Sequence, residues 1–301
     1  MTLHLKHLWL AIVVFASPQA QAALNVVACE PEWAALAKEL GGDRLSVTST
    51  TSALQDPHHI EARPSLIARM RNADLLVCTG MELEIGWLPV LIQQSANAKL
   101  AAGAPGNFEA GRFVTPLEVP TRLDRADGDV HGGGNPHIQL DPRNLAKVAN
   151  ALAARLAQVD APNAAFYQER HKAFSARWLE AIRKWEQQAQ PLKGVPVVAH
   201  HKNMTYLWNW LGVREVATLQ PKPGVEPSGG HLGTLKAQLA QQPAKMVVRG
   251  AYEDARASSW LAEQANIPAV VLPFTVGGNE RANDLFGLFD SSIALLLGAL
   301  K

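Results

Sequence analysis

The residues from Leu24 to Ser49 read LNVVACEPEWAALAKELGGDRLSVTS, and this stretch decides the fold. Leu24 to Ala28 is a short β-branched run, Glu32 to Leu40 has helical periodicity, and Leu45 to Ser49 is a second strand-like run. Strand, helix and strand in so short a span make the crossover unit of a parallel sheet. The alternation continues with Pro64 to Arg71 as a helix with proline in its first turn, Asp74 to Cys78 as a strand and Leu83 to Ser95 as a helix. After a long gap it returns. Val195 to Ala199, Glu215 to Thr218, Met246 to Val248 and Ala269 to Leu272 read as strands. Tyr206 to Leu211, His231 to Gln241, Ala255 to Asn266 and Asp284 to Leu300 read as the accompanying helices. The fold class is therefore α/β: two similar lobes built one after the other, each a sheet flanked by helices.

Between the two blocks, Pro142 to Gln190 is helical almost throughout, with a break near Pro162. Beyond it Phe166, Phe174, Trp178, Ile182 and Trp185 recur at three- and four-residue spacing. A helix from Pro162 to Gln188 would be about 40 Å long, at about 1.5 Å per residue, and could brace the lobes as a stiff strut. The expected division is residues 1–22 as an export signal, 23–161 as the first lobe, 162–190 as the linking helix and 191–301 as the second lobe. Asp124 to Gly134, with Asp127, Gly128, Asp129, His131, Gly132 and Gly133, has neither period nor apolar content and reads as a flexible surface loop.

Met1 to Ala22 combines Lys6, an apolar run from Leu8 to Ala16 and the small-residue pattern Ala20-Gln21-Ala22, which describe a secretory signal cleaved after Ala22. The apolar run is too short to span a bilayer, which takes about 20 residues. The expected location is periplasmic, and Cys29 lies well inside the mature chain, the wrong place for an N-terminal lipid. The net charge of +1 falls to zero when Lys6 leaves with the signal, so there is no electrostatic case for nucleic acid or an anionic membrane as partner. The two cysteines, Cys29 and Cys78, end strand-like runs that can be sheet neighbours, and in an oxidising compartment they are expected to pair. Two buried free thiols are the alternative.

Three histidines stand at strand-to-loop transitions far apart in the chain: His58 in Asp56-Pro57-His58-His59, His137 in Asn135-Pro136-His137 and His201 in His200-His201-Lys202. Together they read as a metal site drawn from both halves of the molecule. Ligands so scattered are held only by a finished fold, unlike the closely spaced ligands of a zinc finger. Imidazoles suit Zn²⁺, Cu²⁺ and Ni²⁺, whereas Mn²⁺ prefers oxygen-rich sites, and zinc is the expected ion.

Asp56-Pro57-His58 followed by Arg63-Pro64-Ser65, Ala73-Asp74-Leu75 and Thr79-Gly80-Met81-Glu82-Leu83-Glu84 resembles the first-lobe signature of the periplasmic substrate-binding proteins of zinc and manganese ABC uptake transporters. Asn135-Pro136-His137-Ile138-Gln139-Leu140-Asp141-Pro142, then Val197 to Gly212 and Glu226-Pro227-Ser228, resemble that family's later signatures in the right order. The resemblance implies a two-lobed receptor with metal clamped in the interlobe cleft by His58, His137 and His201, a long helix fixing the lobes, and delivery of the ion to an ABC permease in the inner membrane. A monomer is expected. The motif register favours His58 over His59 and His201 over His200, and both neighbours stay open. The family commonly adds an Asp just after the last strand, but here Pro273-Phe274 is followed by Thr275, Val276, Gly277 and Gly278. The fourth ligand is therefore open among water, Glu280 and Glu30.

The other class is enzyme, since three histidines and an open position also describe a catalytic zinc that activates water. No His-Glu-x-x-His helix is present, no general base can be placed, and a non-enzymatic receptor is expected. A metal-dependent adhesin of the same fold is a further alternative. His131 has a weak secondary reading as a metal-gathering residue, His171 as a solvated helix residue and His231 as a helix-start residue. Trp33, Trp87, Trp208, Trp210 and Trp260 read as packing. Glu82 and Glu84 read as permease contacts or as acids stabilising a helix N-terminus.

Overall fold

The computed structural model of the protein describes residues 23–124, 128 and 130–301. The expected export signal, Met1 to Ala22, lies outside the described residues, as do Asp127 and Asp129 of the glycine-rich loop. The first sheet comprises β1 (Leu24–Ala28), β2 (Leu45–Ser49), β3 (Leu75–Cys78) and β4 (Asn107–Glu109), all parallel, in the order β2-β1-β3-β4. Its helices are α1 (Pro31–Gly41), α2 (Pro64–Arg71) and α3 (Leu88–Ser95). After α4 (Pro142–Val159) and α5 (Ala164–Gln188), a second sheet repeats the plan. It comprises β5 (Pro196–Ala199), β6 (Arg214–Thr218), β7 (Met246–Gly250) and β8 (Ala269–Leu272), again parallel, in the order β6-β5-β7-β8. The helices α6 (Thr205–Leu211), α7 (Gly229–Gln241), α8 (Ala255–Ala265) and α9 (Leu285–Gly298) accompany it.

Two details depart from the sequence reading. The helix expected from Leu83 begins only at Leu88, because Pro89 lacks an N–H and tolerates only a first-turn position, while Met81 and Glu82 adopt positive φ and send Leu83 to Trp87 through successive turns. The short strand β4 was not anticipated; three residues are too few to show a period.

Helix α5 ties the molecule together. Near its start Arg170 donates to the Glu39 carbonyl of α1 at 2.6 and 2.8 Å, and Arg177 pairs with the Glu39 carboxylate. Further along, Trp178 Nε1 donates to the Pro142 carbonyl at 2.8 Å, Trp185 Nε1 donates to Asp290 of α9 at 2.9 Å, and Trp210 Nε1 of α6 reaches Glu186 at 3.1 Å. Phe174, Trp178 and Trp185 of α5 are buried against Phe286 and Phe289 of α9 and, through Trp185, Trp210 of α6, with ring centres 4.9–6.4 Å apart. One continuous apolar core therefore runs from Val26 and Val77 of the first sheet through α5 to Val197 and Val248 of the second. α9, though last in sequence, also touches α1, so apolar packing bridges the lobes twice.

Candidate metal centre

Both sheets present the carboxyl ends of their strands to the cleft between them, the edge where open parallel sheets place ligands. His200 and His201 directly follow β5, and Thr275 follows β8. The Asp56 to His59 turn lies in the loop after β2.

His58 and His137 are held by the same device. Asp56 Oδ1 accepts from the His58 backbone N–H at 2.9 Å, and Asn135 Oδ1 accepts from the His137 N–H at 3.0 Å, each an Asx turn with proline between. The first turn is anchored by Trp87, whose buried Nε1 donates to the Pro57 carbonyl at 2.8 Å. The second runs into α4, where Asp141 caps the helix by accepting from Arg143 N–H and Pro142 opens it. His201 leaves the sheet just after the His200 N–H makes the last ladder bond to Val248, at 2.8 Å.

The three rings converge. Ring centres lie 5.3 Å apart for His58 and His137, 6.1 Å for His137 and His201, and 6.3 Å for His58 and His201. His137 is buried and its ring packs edge-on against Phe274. His59 is exposed and meets only His58 of this group, and His200 is buried in the wall of a neighbouring part of the cleft with Glu226, Glu253 and Asp254.

The electrostatics keep two of these imidazoles, His137 and His201, neutral. Burial pushes His137 well below the ordinary imidazole value, with further depression from His58 and His201. Burial, reinforced by His58, brings His201 down to about 4. The Nδ1 atoms of His137 and His201 are buried without a protein hydrogen bond, so neither ring is committed on both edges. His58 donates from Nδ1 to Asp56 at 2.7 Å, the carboxylate support that orients a metal-binding imidazole. Burial alone would raise the Asp56 carboxyl; its bonds to His58 more than offset this and hold it below the usual range.

A latch crosses the cleft beside the histidines. The Tyr206 hydroxyl donates to the Asn135 carbonyl at 2.9 Å and accepts from Leu117 N–H at 3.0 Å, while Asn135 Nδ2 donates to the Lys202 carbonyl at 2.7 Å. On the floor, Thr275 Oγ1 of the second lobe donates to buried Glu32 of the first. Burial, more than any other cause, raises the carboxyls of Glu30, Glu32 and Glu84 here, the last two to about 7.

The candidates for the fourth position separate. Glu280 is exposed and faces a cavity lined by Arg281, Ser291 and Leu295 of the α9 region, away from the histidines. Glu30 is buried under His137, where its Oε2 accepts from Thr79. The residue that sequence reasoning had left in a flexible loop, His131, stands at the site instead: its Nε2 lies 3.2 Å from His58 Nε2, and it lines one cavity of about 310 Å³ with His137 and His201. Its only sequence signal was being the lone histidine in a stretch of glycine and aspartate.

Glu84 is not a surface acid; it is buried and accepts from the Thr79 and Gly80 amides at 2.7 and 3.0 Å. His231 sits at the start of α7, its N–H donating to the capping Ser228, and His171 meets Ser175 within α5. Cys29 and Cys78, at the ends of neighbouring strands β1 and β3, form a disulfide with Cα atoms 4.8 Å apart.

Comparison with known proteins bears on this arrangement. The high-affinity zinc uptake system protein ZnuA of Bacillus subtilis (strain 168) is 21% identical over 251 residues, covering 82% of this chain and 77% of that protein. The manganese ABC transporter substrate-binding lipoprotein PsaA of Streptococcus pneumoniae is 25% identical over 263 residues, covering 84% and 80%. A crystal structure of ZnuA superposes with a TM-score of 0.76 at 22% identity, covering 93% of this chain and all of that one, which shows the same two-lobed fold. The profile of the family described as ZnuA, zinc-uptake complex component A, periplasmic, matches residues 26–297, and the chain belongs to that family.

Proposed function

We propose that this protein captures Zn²⁺ in the interlobe cleft through His58, His137 and His201 and hands it to an ABC permease. The observation that carries the reading is the convergence of three imidazoles from two lobes. A tetrahedral Zn²⁺ with Zn–N of about 2.0–2.1 Å places imidazole ring centres about 5.2 Å apart. His58 and His137 stand at 5.3 Å, and an approach of roughly 1 Å by His201 completes the arrangement. The division of ligands between lobes makes His201 the natural point of release: docking shifts the second lobe and draws His201 away, while the α5 strut limits hinge motion. Membership in a zinc-uptake family supports the receptor reading, and the hydrolase alternative finds no support there. We further propose that the chain is exported to the periplasm as a monomer and is not an enzyme.

Zinc is preferred to manganese because the assembled donors are nitrogens. Titration of the chelator-stripped protein with each metal tests this: Zn²⁺ should bind tightly at one equivalent, and Mn²⁺ should fail to displace it at large excess. Manganese binding as tight as zinc would overturn the selectivity. A permease in lipid nanodiscs that left zinc affinity unchanged would overturn the release mechanism.

A further inference from the structure

The geometry points to His131 as the fourth zinc ligand, which makes the site entirely imidazole; this rests on the receptor reading above. His58 Nδ1 is taken up by its hydrogen bond to Asp56, and on the ring's other edge His131 Nε2 faces His58 Nε2 at 3.2 Å. Two ligand nitrogens on one tetrahedral Zn²⁺ are separated by about 3.3 Å, given Zn–N of about 2.0–2.1 Å. The pair already stands at the length of one edge of the coordination polyhedron. The His58 and His131 rings are nearly parallel, 5.3 Å between centres, close to the spacing expected about a shared ion.

The His131 segment is built to stand there. The Gly132 N–H donates to Glu82 of the first lobe at 2.6 Å, and Gly134 N–H donates back to the His131 carbonyl at 3.1 Å, closing a turn. Gly134 has φ of +94°, and a Cβ there would lie 2.7 Å from the Leu117 carbonyl, so the turn requires glycine. On the other side a Cβ on Gly128 would lie 2.1 Å from the carbonyl of Pro223, so Gly128 itself lies against the second lobe. Glu82 is thus a positioning residue for His131. The other fourth-ligand candidates are placed less well: Glu280 faces elsewhere, and Glu30 lines a separate cavity beneath His137, one oxygen taken by Thr79 and the other buried without a hydrogen bond.

The test is zinc X-ray absorption and competition titration on the full chain. Wild-type protein should show four imidazoles and no oxygen ligand, and His131→Ala should show three imidazoles plus an oxygen. The same substitution should weaken zinc at least about tenfold, the smaller end of what even outer-shell partners contribute. Glu82→Ala should reproduce part of that loss in the wild-type background and add nothing in His131→Ala, the signature of one residue acting through another. A wild-type spectrum with three imidazoles and an oxygen, or His131→Ala with unchanged affinity, would overturn the assignment while His58→Ala, His137→Ala and His201→Ala still abolished binding. If those three variants also bound normally, the cleft site itself would fail and the assignment with it.

Discussion

Tyr206→Phe isolates the contribution of a single oxygen to holding the lobes together. Tyr206 is buried on α6, and its hydroxyl closes two backbone groups of the first lobe, Leu117 N–H and the Asn135 carbonyl, onto the second. Phenylalanine keeps the ring in the core and removes only that oxygen. A buried polar group left unpaired costs about 1–3 kcal/mol. The Leu117 amide is partly exposed and water can repair it, so the net loss is about 1–3 kcal/mol, set mainly by the Asn135 carbonyl. Because Asn135 also positions His137, and Lys202 follows His201, the loss falls on the apposed arrangement that holds metal. Spent there, it corresponds to about 5- to 150-fold in affinity. Stopped-flow transfer of zinc to a fluorescent chelator should show faster release with little change in capture, and urea titration of the chelated protein should show the stability loss. A variant with wild-type release rate and wild-type urea midpoint would refute the reasoning that this hydroxyl latches the cleft.

Further outcomes follow from other contacts. Asp56→Asn keeps an acceptor for the His58 amide but removes the charge behind its ring, and zinc affinity should fall about 10- to 100-fold with an almost unchanged urea midpoint; an equal affinity in competition titration would contradict this. Burial pushes Glu253 up to about 8. In the unfolded chain this carboxyl ionises near 4.3, so over the intervening range the folded state binds more protons and stability falls as pH rises. The chelated protein should therefore lose stability from pH 6.5 to 8.5, and Glu253→Gln should flatten that slope; parallel slopes would count against the assignment. Reducing the Cys29–Cys78 disulfide, which closes a separation of 49 residues, should cost about 2–4 kcal/mol in urea unfolding.

The sheets were legible because parallel strands buried on both faces are nearly continuous apolar runs, as in Leu75 to Cys78, and because a first-turn proline such as Pro64 marks a helix start. The Asx-Pro-His turns were visible as motifs, and the structure shows why the Asx is there: it ties down the amide two residues on. Three things were hidden. The start of α3 depended on positive φ at Met81 and Glu82, which no local pattern announces. The burial of Glu84 depended on amides presented by a turn rather than a helix. The place of His131 depended on the bond from Gly132 to Glu82, 50 residues apart in the chain, and on Gly134, whose role is to approach a backbone.

Capture of zinc by the cleft histidines is decided by zinc titration of the mature, chelator-stripped protein, followed through its tryptophan fluorescence and repeated with His58, His137 and His201 each changed to alanine. One tight equivalent is expected, weakened by each of the three substitutions. Absence of zinc binding, or binding indifferent to these residues, would contradict it.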